Sequence, residues 1–435
     1  MKRRQFLKVG GAFSSIAILP SSILSGAPNS KLRTAHIGVG GMGKADLNSI
    51  VSHPQVEVAA LCDVDSVRLK EQQLIFPNAR VFSDYRELFS AMGNDIDAVQ
   101  VSTPDHTHAP ASMMAMNLGK PVYCQKPLTH DVFEARQMRL LSEKKGLVTQ
   151  MGIQIHSRAV YRKSVQMIQS GVIGKVKRVH AWSNKNWGYD GPAFAGEDAI
   201  PESLNWDLWL GTASVRPYKN KVYHPGQWRK LIDFGCGTLG DMGIHIFDTP
   251  YTALELTEPL WVKTSCREPT GVGHPEKNKV EYLFPGTKYT TSKMLWTWYD
   301  GVDAPEAHKD LKLPDDIQLP GQGAMFVGEE GRFLLPHYTD PIVLDKNGVR
   351  NVPQPALEDI SHYHQWVDAC MGKGECSTPF SMSGKLTEAM LLGVVANRYP
   401  GKKLKWDAEN LKFTNKEEAN KLLKSEYREG FRLKA

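Results

Sequence analysis

Gly38-Val39-Gly40-Gly41-Met42-Gly43 spells G-x-G-x-x-G between an apolar, β-branched run that starts at Thr34 and a helical stretch that follows. No other feature of this 435-residue chain restricts its fold so sharply. Glycines at these spacings permit a tight strand-to-helix turn and let backbone N–H groups approach a pyrophosphate at the positive helix end. Asp63 stands twenty residues after Gly43, at the end of a second strand over 56–62. A carboxylate there accepts hydrogen bonds from ribose hydroxyls and repels a 2′-phosphate, so the expected cofactor is NAD in preference to NADP. Arg68 pulls the other way, because a nearby arginine accommodates the extra phosphate.

The alternation continues. Strands are expected at 96–102, 122–125 and 147–153, with helices at 110–118 and 132–145. Strands separated by helices specify a parallel sheet, so residues 34–153 form a dinucleotide-binding Rossmann domain. From 154 to 435 the texture changes. A helix over 158–170 is followed by candidate strands at 175–183, 259–267, 278–284, 288–298 and 324–335, with few helices between. The fold class is therefore α/β, with a C-terminal α+β domain built on an open, mostly antiparallel sheet. The stretch 184–233 reads as a long loop carrying Trp187, Trp206, Trp209 and Trp228. Leu386, Met390 and Val394 recur at i+4 and mark a buried helix, and the charged tail 414–430 reads as a surface helix.

Composition excludes several classes. Hydrophobic residues make up 41% and charged residues 23%, ordinary globular usage that rules out collagen-like, disordered and multi-span membrane chains. The net charge of +6 falls to +2 once Lys2, Arg3, Arg4 and Lys8 of residues 1–27 are set aside, which leaves no basic footprint for nucleic acid. Those residues have the plan of an export signal of twin-arginine type: Arg3-Arg4, an apolar run over 9–24, and the small-residue site Ser25-Gly26-Ala27. The run has 16 residues and is broken by Pro20, so the mature chain is expected to keep no stable span and to lie in a bacterial periplasm. Six cysteines show no C-x-x-C spacing, and Cys370 with Cys376 is the pair closest in sequence.

Three segments carry the chemistry: 101-VSTPDHTHAP-110, 121-PVYCQKPLTH-130 and 233-DFGCGTLGDMGIHIFD-248. The first two follow strands whose C-terminal ends face a dinucleotide, which puts Ser102, Thr103, Gln125 and Lys126 beside the cofactor. The third sets Asp241 and His245 four apart, on one helical face. With Lys126 they supply a cation, a base and a carboxylate to orient that base. Together these segments resemble the glucose–fructose oxidoreductase / inositol dehydrogenase (Gfo/Idh/MocA) family from about Thr34 to Trp406. The family's E-K-P motif matches Gln125-Lys126-Pro127, and its D-x-x-x-H motif matches Asp241 to His245. The resemblance implies that Lys126 and His245 handle the proton of a substrate hydroxyl while hydride passes to nicotinamide, with Asp241 positioning the substrate or tuning His245. It further implies that His108 and Gln154 line the cofactor or substrate, and that copies pair through the C-terminal sheet. Gln125 departs from the family pattern: it keeps hydrogen-bonding capacity but brings no negative charge beside Lys126.

His106 with His108, and His362 with His364, form H-x-H pairs, but two histidines make no metal site and no third ligand is fixed by spacing, so no metal is expected. Trp228 and Arg229 are candidates for contacting a sugar ring, although the same tryptophans would equally anchor a long loop. Export bears on mechanism, since a periplasmic enzyme meets little free NAD. The cofactor is then expected to stay bound and be regenerated in each cycle on a sugar or glycoside. Net oxidoreduction leads. The alternatives are NAD-assisted glycoside cleavage through transient oxidation and elimination, as in the NAD-dependent glycosidases among the relatives, and a non-catalytic sugar-binding module.

Overall fold

The computed structural model describes residues 31–301, 305 and 311–431; the expected export segment lies outside them. The N-terminal half alternates β1 (Leu32–Ile37), α1 (Met42–Val51), β2 (Val56–Cys62), α2 (Ser66–Ile75), β3 (Arg80–Phe82), α3 (Tyr85–Met92), β4 (Ala98–Val101), α4 (Asp105–Asn117), β5 (Val122–Cys124), α5 (Val132–Lys145) and β6 (Thr149–Met151). All six strands are parallel, in the order β3-β2-β1-β4-β5-β6. Strand order reverses between β1 and β4, and the crevice beyond their C-terminal ends is where such sheets bind ligands. Continuous burial along β4, β5 and β6 fits strands covered on both faces.

α4 begins five residues before the expected start at Pro110. Proline removes the N–H that would bond the His106 carbonyl one turn back. That carbonyl accepts instead from the Thr212 hydroxyl at 3.1 Å, so the helix tolerates the proline.

The second half holds α6 (Ala159–Gln169), β7 (Val176–Ser183), α7 (Trp206–Leu210), a π-helical turn (Leu239–Gly243), α8 (Ile244–Ala253), β8 (Trp261–Ser265), β9 (Asn278–Pro285), β10 (Thr290–Asp300), β11 (Gln322–Gly328), β12 (Arg332–Pro336), β13 (Ile342–Asp345), β14 (Gly348–Val349), α9 (His362–Cys370), α10 (Phe380–Ala396), β15 (Lys403–Asp407), β16 (Lys412–Phe413) and α11 (Glu417–Asn420). Its ten strands run β14-β13-β12-β11-β7-β10-β9-β8-β15-β16, antiparallel except for the β7–β10 pair. The single strand expected over 324–335 is a hairpin, β11–β12, turned at Glu329-Glu330-Gly331. Trp296, Trp298, Tyr282 and Phe284 bury one face of the sheet, where the Phe247 ring of α8 lies 4.2 Å from that of Trp296. α10 ties this layer to the Rossmann half: Tyr282 bonds the Met390 carbonyl at 3.0 Å, and Glu388 pairs with Arg136 of α5 at 2.6 Å. Leu386 and Met390 are fully buried and Val394 half-buried, as a buried helix requires.

The tail departs from the expected surface helix. Apart from the short α11 it is an extended strap. The Ser425 N–H donates to Asp131 at 2.8 Å, Tyr427 bonds Glu134, and Arg428 reaches Gly211 and Asp207. These tertiary partners outcompete the local helical bonds a charged segment would otherwise make. All six cysteines are free thiols, Cys370 and Cys376, the two closest in sequence, included.

Candidate active site

The glycine loop opens a cavity of about 450 Å³ along the C-terminal ends of β1, β4 and β5. Gly38 (φ 81°) and Gly41 (φ 52°) take left-handed backbone that favours glycine. A Cβ on Gly43 would lie 2.0 Å from the Gly38 carbonyl oxygen, so this glycine keeps strand and helix in contact without touching the cavity. The N–H groups of Gly40, Gly41 and Met42 have no partner among the described residues, and α1 has no side-chain cap. Free donors at a positive helix end fit a pyrophosphate, which is the test the loop had to meet. Asp63 accepts from the Val39 and Asp65 N–H groups, both at 2.9 Å, and burial raises its pKa. Arg68 lies across Gly40, and its Nε is 3.5 Å from Asp65.

Beyond the loop, Lys126 Nζ donates to Asp241 Oδ1 at 2.7 Å and to the Asp241 carbonyl at 2.9 Å. Arg229 approaches the same Oδ1 at 3.3 Å, and the Trp187 indole N–H donates to Oδ2 at 2.8 Å. Burial alone would raise the Asp241 pKa, but the Lys126 ammonium and Arg229 guanidinium hold it well below the usual carboxylate range. Asp241 thus remains ionised and orients Lys126. Asp105, the first residue of α4, behaves oppositely: burial pushes its carboxyl up to about 7 against the pull of Arg229 and Lys126. One of its oxygens accepts from the Cys236 N–H at 3.1 Å.

Gln125 answers the question its sequence position raises. Its Nε2 donates to both oxygens of Asp46 at 3.0 and 2.9 Å, and its Oε1 accepts from the Lys126 N–H at 3.1 Å. Asp46 also accepts from Ser102 at 2.6 Å and Tyr363 at 2.8 Å, and burial raises its carboxyl to about 6. The amide side chain is therefore the one that fits against a buried carboxylate.

Residues 32–153 match the sequence model of the GFO_IDH_MocA oxidoreductase family with NAD-binding Rossmann fold, and residues 159–272 match that family's C-terminal alpha/beta domain. The chain belongs to the Gfo/Idh/MocA family. It is 30% identical over 154 residues to an inositol 2-dehydrogenase of Rhodococcus erythropolis, covering 35% of this chain and 44% of the relative. It is 28% identical over 196 residues to a glycosyl hydrolase family 109 protein of Stenotrophomonas maltophilia, 42% of each chain. Less than half the length of either curated relative is thus matched. Two solved structures share the fold. The WlbA dehydrogenase from Bordetella pertussis, in complex with NADH and UDP-GlcNAcA, has TM-score 0.61 at 14% identity over 87% of this chain and 99% of its own. The aldose-aldose oxidoreductase from Caulobacter crescentus has TM-score 0.58 at 18% identity over 86% and 100%.

Within this Gfo/Idh/MocA chain, Gly38, Gly40, Gly41, Met42, Asp63, Ser102, Thr103, His108, Gln125, Lys126, Trp228, Arg229 and Asp241 all line the one cavity, whereas Gly43, Gln154 and His245 do not. Gln154 donates to the Tyr363 hydroxyl at 3.1 Å, behind the Asp46 network. The π-turn widens the helical register, and Asp241 and His245 share no hydrogen bond; the His245 ring packs 6.0 Å from His337. Burial, reinforced by the Lys126 charge, keeps that imidazole neutral. His108 has both ring nitrogens 2.8 Å from carbonyl oxygens, those of Pro127 and Thr103, so it braces the lysine turn. Arg229 covers the Trp228 ring at 4.3 Å; Trp228 shares a small buried core with Trp206 and Trp209, which stack at 4.9 Å, so these tryptophans anchor the loop while Trp209 and Trp228 also line the cleft. The H-x-H pairs diverge, and among the described residues no group of three His, Cys, Asp or Glu is placed to hold a metal ion. Asp46 and Asp105 were not singled out in the sequence, and Trp187 was named only as one tryptophan of the long loop. Asp105 sits inside the segment 101–110, one residue from the flagged histidines, but nothing local shows that it is buried.

Proposed function

We propose that the protein is an NAD-linked oxidoreductase acting on a hydroxyl of a sugar or glycoside, exported through its twin-arginine-type segment and keeping its cofactor bound through each turnover. The observation that carries this reading is the Lys126–Asp241–Arg229 cluster in the same cavity as the unpartnered glycine-loop donors. Oxidising an alcohol removes a hydride from carbon, which bound NAD would accept, and a proton from oxygen, which this chain must handle. Asp241 is held as a carboxylate and cannot take that proton; it aims Lys126 Nζ at the substrate oxygen. Arg229 adds a second donor for the alkoxide-like oxygen. Asp105, with its carboxyl near 7, is the cavity group poised to exchange a proton at neutral pH. Asp63 at the end of β2 favours NAD, although Arg68, paired with Asp65, stays beside it in the same cavity.

Asp105 also favours a second reading, glycoside cleavage by transient oxidation and elimination. That cycle needs one proton carrier for the C–H beside the transient carbonyl and another for the leaving group, and Lys126 with Asp105 supplies two. A row of half-buried apolar side chains supports pairing of two copies through the ten-stranded sheet: Trp261, Leu283 and Leu295 stand opposite one another across β8, β9 and β10.

The first experiment denatures the purified protein and identifies released nucleotide by mass spectrometry, then follows the reduced-nicotinamide band and aglycone release across a panel of sugars and glycosides. Stoichiometric NAD or NADH with sugar-dependent bleaching or growth of the band supports oxidoreduction; aglycone release without net redox change selects the second reading. Lys126→Met is expected to lower either rate at least ~100-fold while leaving nucleotide content unchanged. A protein that carries no nucleotide and fails to bind added NAD or NADP would leave sugar binding without catalysis.

A further inference from the structure

A second cavity, of about 350 Å³, shares the 228–241 segment with the cleft. Trp228, Arg229 and Asp241 turn toward the cleft, and Ile232, Asp233 and Gly235 line the second cavity. Buried Val132, Leu391 and Val395 supply an apolar wall. Arg398, just beyond α10, also lines the cavity, and exposed Lys421 and Lys424 stand beside it.

Arg398 is the anomaly. A guanidinium carries five N–H donors, and among the described residues this one makes no hydrogen bond and no ion pair. The neighbouring carboxylates are committed elsewhere: Asp233 to Arg216 at 2.5 Å, and Asp131 to the N–H groups of Glu134 and Ser425 at 2.8 Å each. Glu426, also in the lining, is exposed. His130 and His274 are kept neutral by burial, and each has a ring nitrogen on a carbonyl, of Ile232 and Gly235. Burial pulls the Arg398 guanidinium down to about 10, with Asp233 opposing. Arg398 is half-buried and open to the cavity, so an anion entering there meets a guanidinium that no side chain among the described residues neutralises.

We propose that this cavity binds a small organic anion whose carboxylate or phosphate group takes the Arg398 fork while its carbon body lies on the apolar wall. The planar fork suits bidentate contact with either group. Lys421 and Lys424 raise the local concentration of anions at the entrance.

Isothermal titration of the full chain at fixed ionic strength, with inorganic phosphate and with succinate as probes, tests this. Saturable binding of at least one probe is expected, weakened at least about tenfold by Arg398→Gln and kept by Arg229→Gln, which alters the other cavity. Preference for one probe names the anionic group. If Arg398→Gln does not fold by circular dichroism, Lys421→Gln with Lys424→Gln carries the test, and several-fold weaker binding is expected. Binding of neither probe, binding that survives the variant used, or loss confined to Arg229→Gln would overturn the site. So would a dimer that Arg398→Gln splits in sedimentation, because a second copy's carboxylate would then be the partner.

Discussion

Gln125 donates through one nitrogen to both oxygens of Asp46, so glutamate in its place would set two buried carboxylates about 3 Å apart. Gln125→Glu is accordingly expected to destabilise the protein by ~3 kcal/mol or more in urea unfolding. Adding Asp46→Asn reverses the polarity of the contact, an amide donating to the new carboxylate, and should recover at least ~1 kcal/mol. If the two changes are additive, the pair is not coupled as described. The network also explains what sequence reading reached at this scale. The glycine loop and Asp63 are legible because their geometry is local, a turn and a strand end. Asp46 is silent because its partners Ser102, Gln125 and Tyr363 lie 56, 79 and 317 residues away. Lys126 and Asp241 were each expected, but their direct contact across 115 residues, with Trp187 and Arg229 closing around it, depends on the fold.

At the scale of elements, α5 shows how one cap serves two segments. Asp131 and Glu134 form a reciprocal capping box, and the second Asp131 oxygen holds the Ser425 N–H of the strap. Asp131→Ala removes both contacts. A lost N-cap costs ~1 kcal/mol, up to about 2, and the freed strap amide adds a further contribution of similar size. Hydrogen exchange should report faster exchange at 421–428 together with the first turn of α5; exchange confined to the helix would show the strap anchored elsewhere. The capping pattern Asp-x-x-Glu is readable in sequence, and the helix over 132–145 was placed to the residue. The strap was not, since Ala419 and Leu423 are buried at helical spacing while Ser425 and Tyr427 beyond them are held by Asp131 and Glu134, some 290 residues earlier. The hairpin at 329–331, by contrast, was legible: Gly328-Glu329-Glu330-Gly331 breaks the apolar run with two glycines and two charges, the signal a tight turn gives.

Across the whole molecule, α10 and the strap bind the Rossmann half to the large sheet, so the cleft is lined from both halves of the chain. The sheet's covered face is filled by tryptophan and phenylalanine, and part of its other face lies under residues 311–319. What stays less covered is the row Trp261, Leu283 and Leu295. A contiguous apolar row on an otherwise polar surface is the expected mark of an association site. On the proposed pairing, Leu283 sits centrally, flanked by Trp261 and Leu295 in register. Leu283→Lys would place a charge against its symmetry mate in each copy while leaving the opposite, buried face of β9 intact. Sedimentation equilibrium should then show self-association weakened by about two orders of magnitude, a loss of the size seen when a central interface side chain is removed. Circular dichroism and nucleotide content should not change, because the cleft lies on the other side of α8 and α10 from this row. A wild-type chain that stays monomeric at micromolar concentration, or a variant that pairs as tightly as wild type, would place the interface on another surface.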